Sequence, residues 1–129
     1  MKHAAALCLI AIFFQSKAAP SPEVVAYRAR MDHAQDIQDI ILDGLESKDA
    51  KVVAAQAREL TGLLGEDKQY WDRAKLEPAI QLSKESVRRS EKLANDAAAG
   101  NLPEAEEDNK QLQQTCRTCH DAHFEKLVP

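Results

Sequence analysis

SPEVVAYRARMDHAQDIQDIILDGL, residues 21–45, places Val24, Tyr27, Met31, Ala34, Gln38, Ile41 and Leu45 at alternating spacings of three and four. Such spacing returns to one face of an α-helix, so the segment is expected to be a long amphipathic helix. Ile37 and Ile40 widen the stripe. Ser21 suits the N-cap and Pro22 the first turn, where a missing N–H costs nothing. A stripe of this length cannot be buried within its own helix, so it needs partner helices.

Those partners are legible downstream. Ser47 or Asp49 caps a second helix carrying Val53, Ala57, Leu60 and Leu64, expected to stop between Gly62 and Gly65. A polar, partly irregular link over 66–77 then holds the only tryptophan, Trp71. Pro78 opens a third helix with a weaker stripe of Ile80, Ser83, Val87, Ser90, Ala94 and Ala97, and Gly100 with Asn101 ends it. Pro103 and the acids Glu104, Glu106, Glu107 and Asp108 favour a fourth helix start by complementing the helix dipole. That helix carries Ala105, Leu112, Cys116, Cys119, His123 and Leu127 on one side. No run alternates with period two as a strand would. The expected class is therefore all-α, an antiparallel up-down-up-down four-helix bundle. Its interior positions are largely Ala, Ser and Gln, a poor core that a buried apolar cofactor would fill out.

The N-terminus reads differently. After Lys2 and His3, residues 4–14 form an apolar run too short for a bilayer span and suited to a signal-peptide core. Ser16, Lys17 and Ala18 offer small residues for cleavage, so residues 1–18 are expected to be a signal peptide and 19–129 the mature domain, with no membrane span. Cys8 departs with that segment. The net charge of −4 becomes more negative as Lys2 and Lys17 leave, which argues against nucleic acid or an anionic membrane as partner. It suits redox donor and acceptor proteins with basic docking faces. No constellation of catalytic acid, base and nucleophile is visible, so an enzyme is not expected.

The chemistry lies in Cys116-Arg117-Thr118-Cys119-His120. C-x-x-C-H is the attachment signature of c-type haem: two thiols join the porphyrin vinyl groups and the following imidazole binds iron. Three residues apart on a helix, Cys116 and Cys119 share a face and reach one macrocycle edge. The competing readings are a redox dithiol, which would follow a strand, and a zinc site, which needs two further ligands such as His33 and His123. Met31 is the candidate sixth ligand, since Met1 leaves with the signal and no other methionine exists. The alternative for Met31 is gap-filling beside the ring, with the sixth position open.

A C-x-x-C-H on the last of four helices in an exported chain resembles the cytochrome c′ / cytochrome c556 group, the class II c-type cytochromes. Further likeness lies in Tyr27-Arg28-Ala29-Arg30-Met31, in Leu93-Ala94-Asn95-Asp96-Ala97-Ala98-Ala99-Gly100 and in Gln111-Leu112-Gln113-Gln114-Thr115-Cys116. The resemblance implies a periplasmic bundle enclosing one covalently bound haem c and shuttling single electrons. It places Met31 where six-coordinate members supply methionine; the alternative is a five-coordinate cytochrome c′ binding nitric oxide or carbon monoxide. Dimers are frequent among such proteins, which makes a homodimer a further expectation. Tyr27 and Phe124 are expected haem-contacting core. Arg28, ahead of Arg30, is the candidate for the haem propionates, His123 for the porphyrin edge, and His33 for the surface. The chain departs from the group in the run His120-Asp121-Ala122-His123-Phe124, where an aromatic followed by Arg is common. The group's tryptophan at the start of the third helix has no counterpart unless Trp71 serves.

Overall fold

The computed structural model describes residues 18–127, and within them it is all-helical: α1 (Pro22–Glu46), α2 (Ala50–Ala74), α3 (Glu77–Ala98), α4 (Leu102–Ala122) and a 3-10 turn, Phe124–Lys126. The expected signal peptide falls almost wholly outside the described residues. No described helix is long and apolar enough to cross a membrane. Links of two or three residues force each helix to double back on its predecessor, and the four form a bundle.

Local chemistry explains most helix ends. Ser21 Oγ accepts from Val24 N–H at 3.3 Å, and Asp49 Oδ1 from Val52 N–H at 3.1 Å. Asp49, rather than Ser47, is therefore the cap of α2. Pro22, Pro78 and Pro103 each occupy a first turn, where their missing N–H is harmless. Gly100 takes φ +77°, the left-handed geometry that closes α3.

Two expectations about helix extent fail. The second helix does not stop at Gly62–Gly65, and the irregular link does not exist: α2 runs on to Ala74, ending on Lys75 in a left-handed conformation. Each glycine costs about 1 kcal/mol of helix propensity. Continuing the helix buries Tyr70 and Trp71 beyond the glycines, which outweighs that cost. At the other end, α4 stops at Ala122, and His123 turns left-handed at φ 51°. The helical stripe therefore does not extend to His123 and Leu127; both are exposed, Leu127 at 65%. Ile40 also points outward at 43% exposure rather than widening the core stripe.

The core is as lean as its composition implies. Ala34, Ala54, Ala57, Ala94, Ala97 and Ala105 surround Ile37, Ile41, Val53, Leu60, Leu64, Leu93 and Leu112. A second cluster is aromatic: Tyr27 stacks on Tyr70 at 4.6 Å, and Trp71 meets Tyr27 edge-on at 5.3 Å and Phe124 at 6.1 Å. Polar ties hold α3 to α4. Lys92 Nζ donates to both oxygens of buried Asp108 at 2.8 and 2.9 Å, and Arg89 donates to Gln111. Small side chains let α1 and α2 approach closely where they meet. A Cβ on Gly44 would lie 2.9 Å from Cγ2 of fully buried Val53. Gly44→Ala is therefore expected to lower stability by about 1 kcal/mol in chemical denaturation, the overpacking cost exceeding the gain in helix propensity.

One seam stays loose. α1 packs along α2, α2 along α3 and α3 along α4, whereas α1 and α4 approach far less closely.

Candidate functional site

Along that loose seam lies a cavity of about 310 Å3, within the range of small-molecule and cofactor sites. All four helices contribute to it. α1 supplies Tyr27, Met31, Ala34, Gln35 and Gln38; α2 supplies Leu60, Leu64, Asp67 and Trp71; α3 supplies Ser83 and Ser86. α4 brings Gln113, Cys116, Arg117, Cys119 and His120. Ala34, Ser83 and Ser86 are the short side chains that open onto this space, while most of the core alanines pack against their neighbours.

The three chemistry-bearing residues of the motif arrive together for a helical reason. Positions 116, 119 and 120 fall within about one turn of α4, so both thiols and the imidazole open on the same cavity. Both cysteines are unbridged and half-buried. Burial pushes the Cys116 thiol up and carries Cys119 to about 11, the neighbouring Cys116, Glu125 and Asp67 adding to the effect at Cys119. These are neutral thiols, unlike the depressed, reactive thiol of a dithiol oxidoreductase. The zinc alternative is not assembled. His33 stands exposed on α1 with Nε2 2.9 Å from Glu59 Oε1, and His123 is exposed with Nδ1 3.2 Å from Glu125.

Met31 lines the cavity from α1, half-buried. Antiparallel packing explains the juxtaposition, since the start of α1 lies beside the end of α4. A second cavity of about 300 Å3 adjoins the first and shares Tyr27, Met31 and His120 with it. Arg28, Val24, Tyr70, His123 and Glu125 complete its wall. Seven of the eight site residues expected from the sequence therefore line one or both cavities, and Phe124 closes the group by packing on Trp71. Tyr27 is buried, and burial pushes its phenol well above the ordinary tyrosine range, with Cys119 and Asp67 reinforcing the shift.

Several contributors escaped the sequence reading. Trp71, set in an irregular link there, is a 2% exposed wall of the cavity on α2. Tyr70 was not singled out. Arg30, placed behind Arg28 in the sequence reading, is anchored by carboxylates: its Nε donates to Asp67 Oδ1 at 2.7 Å, with Glu66 Oε2 at 3.8 Å. Asp67 does not stand out as a site residue in the sequence, although it continues the stripe Val53, Ala57, Leu60, Leu64 at the next three-residue step. An acid on an apolar stripe beyond two glycines is the signal that was available.

The cavity also contains groups that want partners. Gln38 is 8% exposed, and among the described residues neither its Nε2 nor its Oε1 has a hydrogen-bond partner. Asp67 Oδ2 is likewise unpartnered. Buried polar atoms are normally satisfied, so these orphans mark a site shaped for an occupant. An apolar wall, two neutral thiols, an imidazole, a thioether and a few polar atoms form a donor set that fits a covalently held haem. No protein-family model, no curated protein and no solved structure matches the chain.

Proposed function

We propose that the chain is a mono-haem c-type cytochrome, a single-electron carrier acting outside the cytoplasm after removal of residues 1–18. The observation that carries this reading is the convergence of Cys116, Cys119 and His120 on one cavity that Met31 also lines. Cys116 and Cys119 would hold the macrocycle as thioethers, and His120 and Met31 would ligate its iron. The bound group would supply a one-electron ferric/ferrous couple.

The rest of the chemistry belongs to side chains. Tyr27, Trp71, Leu60 and Leu64 give the cavity an apolar wall, and an apolar surround raises the weight of every charge placed near it. Arg28, in the wall of the second cavity, offers a planar cation suited to propionate carboxylates. Bound to the iron, the Met31 thioether would favour the reduced state relative to harder ligands. Exposed Glu104, Glu106 and Glu107 at the start of α4 give partner proteins with basic faces a docking charge.

The test is optical and chemical. Protein exported by a host able to attach haem should stay coloured through acid-acetone extraction and gain the mass of one haem. Its spectrum should be low-spin, with a sulfur-to-iron band at the red end. Met31→Ala should abolish that band, convert most of the iron to high spin and lower the midpoint potential. A high-spin spectrum in the unmutated protein would take Met31 off the iron and support the five-coordinate alternative, in which nitric oxide or carbon monoxide binds the open position.

A further inference from the structure

The carboxyl of Asp67 is 3% exposed, lines the cavity and is held on one side only. Arg30 Nε donates to Oδ1 at 2.7 Å, while Oδ2 has no partner among the described residues. A carboxylate in an apolar wall with one oxygen unpartnered among the described residues is half-satisfied, and a proton on Oδ2 would relieve it at the expense of the Arg30 pair. We infer that Asp67 takes up a proton when the cavity's redox group gains an electron, so that electron and proton uptake are coupled at this wall.

The inference rests on the haem reading above, and the geometry supplies its physics. When one electron comes from a donor protein, the charge inside the cavity falls by one. A negative carboxylate in the same wall then becomes more basic, and a proton from solvent joins Oδ2. One electron and one proton enter, so the buried charge is unchanged. With an effective dielectric of about 20, a unit change of charge nearby alters a group's proton affinity by about tenfold.

The surroundings set where this happens. From α1, Arg30 opposes protonation and Tyr27 stays neutral; on α2, Glu66 adds negative charge. From α4, Arg117 and His120 line the cavity, and Cys119 carries no titrating proton once it is a thioether. α3 offers only the hydroxyls of Ser83 and Ser86 there. Desolvation outweighs the Arg30 contact and pushes the Asp67 carboxyl up to about 6, in a range where pH decides its state.

The experiment follows the midpoint potential of the haem-loaded protein from pH 4.5 to 8. The potential should fall as pH rises between about 5 and 7, because ionised Asp67 favours the ferric state. Asp67→Asn should flatten this dependence and hold the potential on the high, low-pH plateau; Asp67→Glu should restore a slope. Reduced-minus-oxidised infrared spectra of the unmutated protein at pH 6 should show a protonated carboxyl band that appears on reduction and shifts in D2O. That measurement stands even where Asp67→Asn folds poorly. A coloured protein with a flat profile and no such band, or an Asp67→Asn variant that keeps the slope, overturns the inference and leaves the haem reading intact. A polypeptide that loses all colour on extraction overturns both.

Discussion

Replacing Cys116 and Cys119 together by alanine is expected to remove all pigment that survives acid-acetone extraction. Both sulfurs face one cavity from positions three residues apart on α4, and no other described cysteine can substitute for them. Each single variant should keep one thioether, retain colour and show a shifted absorption band, because one vinyl group stays conjugated with the ring. The double variant should also melt at lower temperature. Its cavity of about 310 Å3 would no longer be filled by a tethered group, and any occupant would stabilise the fold only by mass action. Full retention of extract-resistant colour in the double variant would remove the thioether attachment from the account.

Trp71→Ala is expected to be the most damaging single change to stability, costing about 3–5 kcal/mol in chemical denaturation. The indole is 2% exposed and meets the rings of Tyr27, Tyr70 and Phe124 at 5.3, 4.9 and 6.1 Å. Its loss merges a new void with the existing cavity, so the surroundings have little to collapse onto. A domain of this size has roughly 5–15 kcal/mol in total, so the variant gives up a large share of its margin. The melting temperature should drop by more than about 10 °C. Trp71→Phe should recover much of the loss, and Val25→Ala, at a side chain 52% exposed, should stay within about 0.5 kcal/mol of the parent. A Trp71→Ala variant as stable as the Val25→Ala control would mean that the aromatic wall contributes nothing to the fold.

Both predictions depend on residues whose legibility in the chain differed. Cys116, Cys119 and His120 were readable because their motif is local: three side chains within about one turn of helix need no tertiary information to be found. Met31 was readable for the same local reason, a thioether on the buried face of α1. Trp71 and Asp67 were not, because Gly62 and Gly65 look like a helix end when only propensity is weighed. His123 failed in the opposite direction. Its spacing from His120 suggested continued helix, but the chain turns left-handed there and folds Phe124 back onto Trp71.

Periodicity and end chemistry were enough to establish the helical class, the starts of all four helices, the lean interior and the face of α4 on which the two thiols lie. These are properties of neighbours in the chain, where spacing of three or four residues and a cap or proline act within one or two turns. Packing had to supply the rest: that α2 runs through its glycines, that α1 and α4 part to leave a cavity, that Arg30 rather than solvent holds Asp67, and that Gln38 is left without a partner. Each of these balances a small local cost against burial contributed by residues distant in the chain, and that balance exists only once the helices have met.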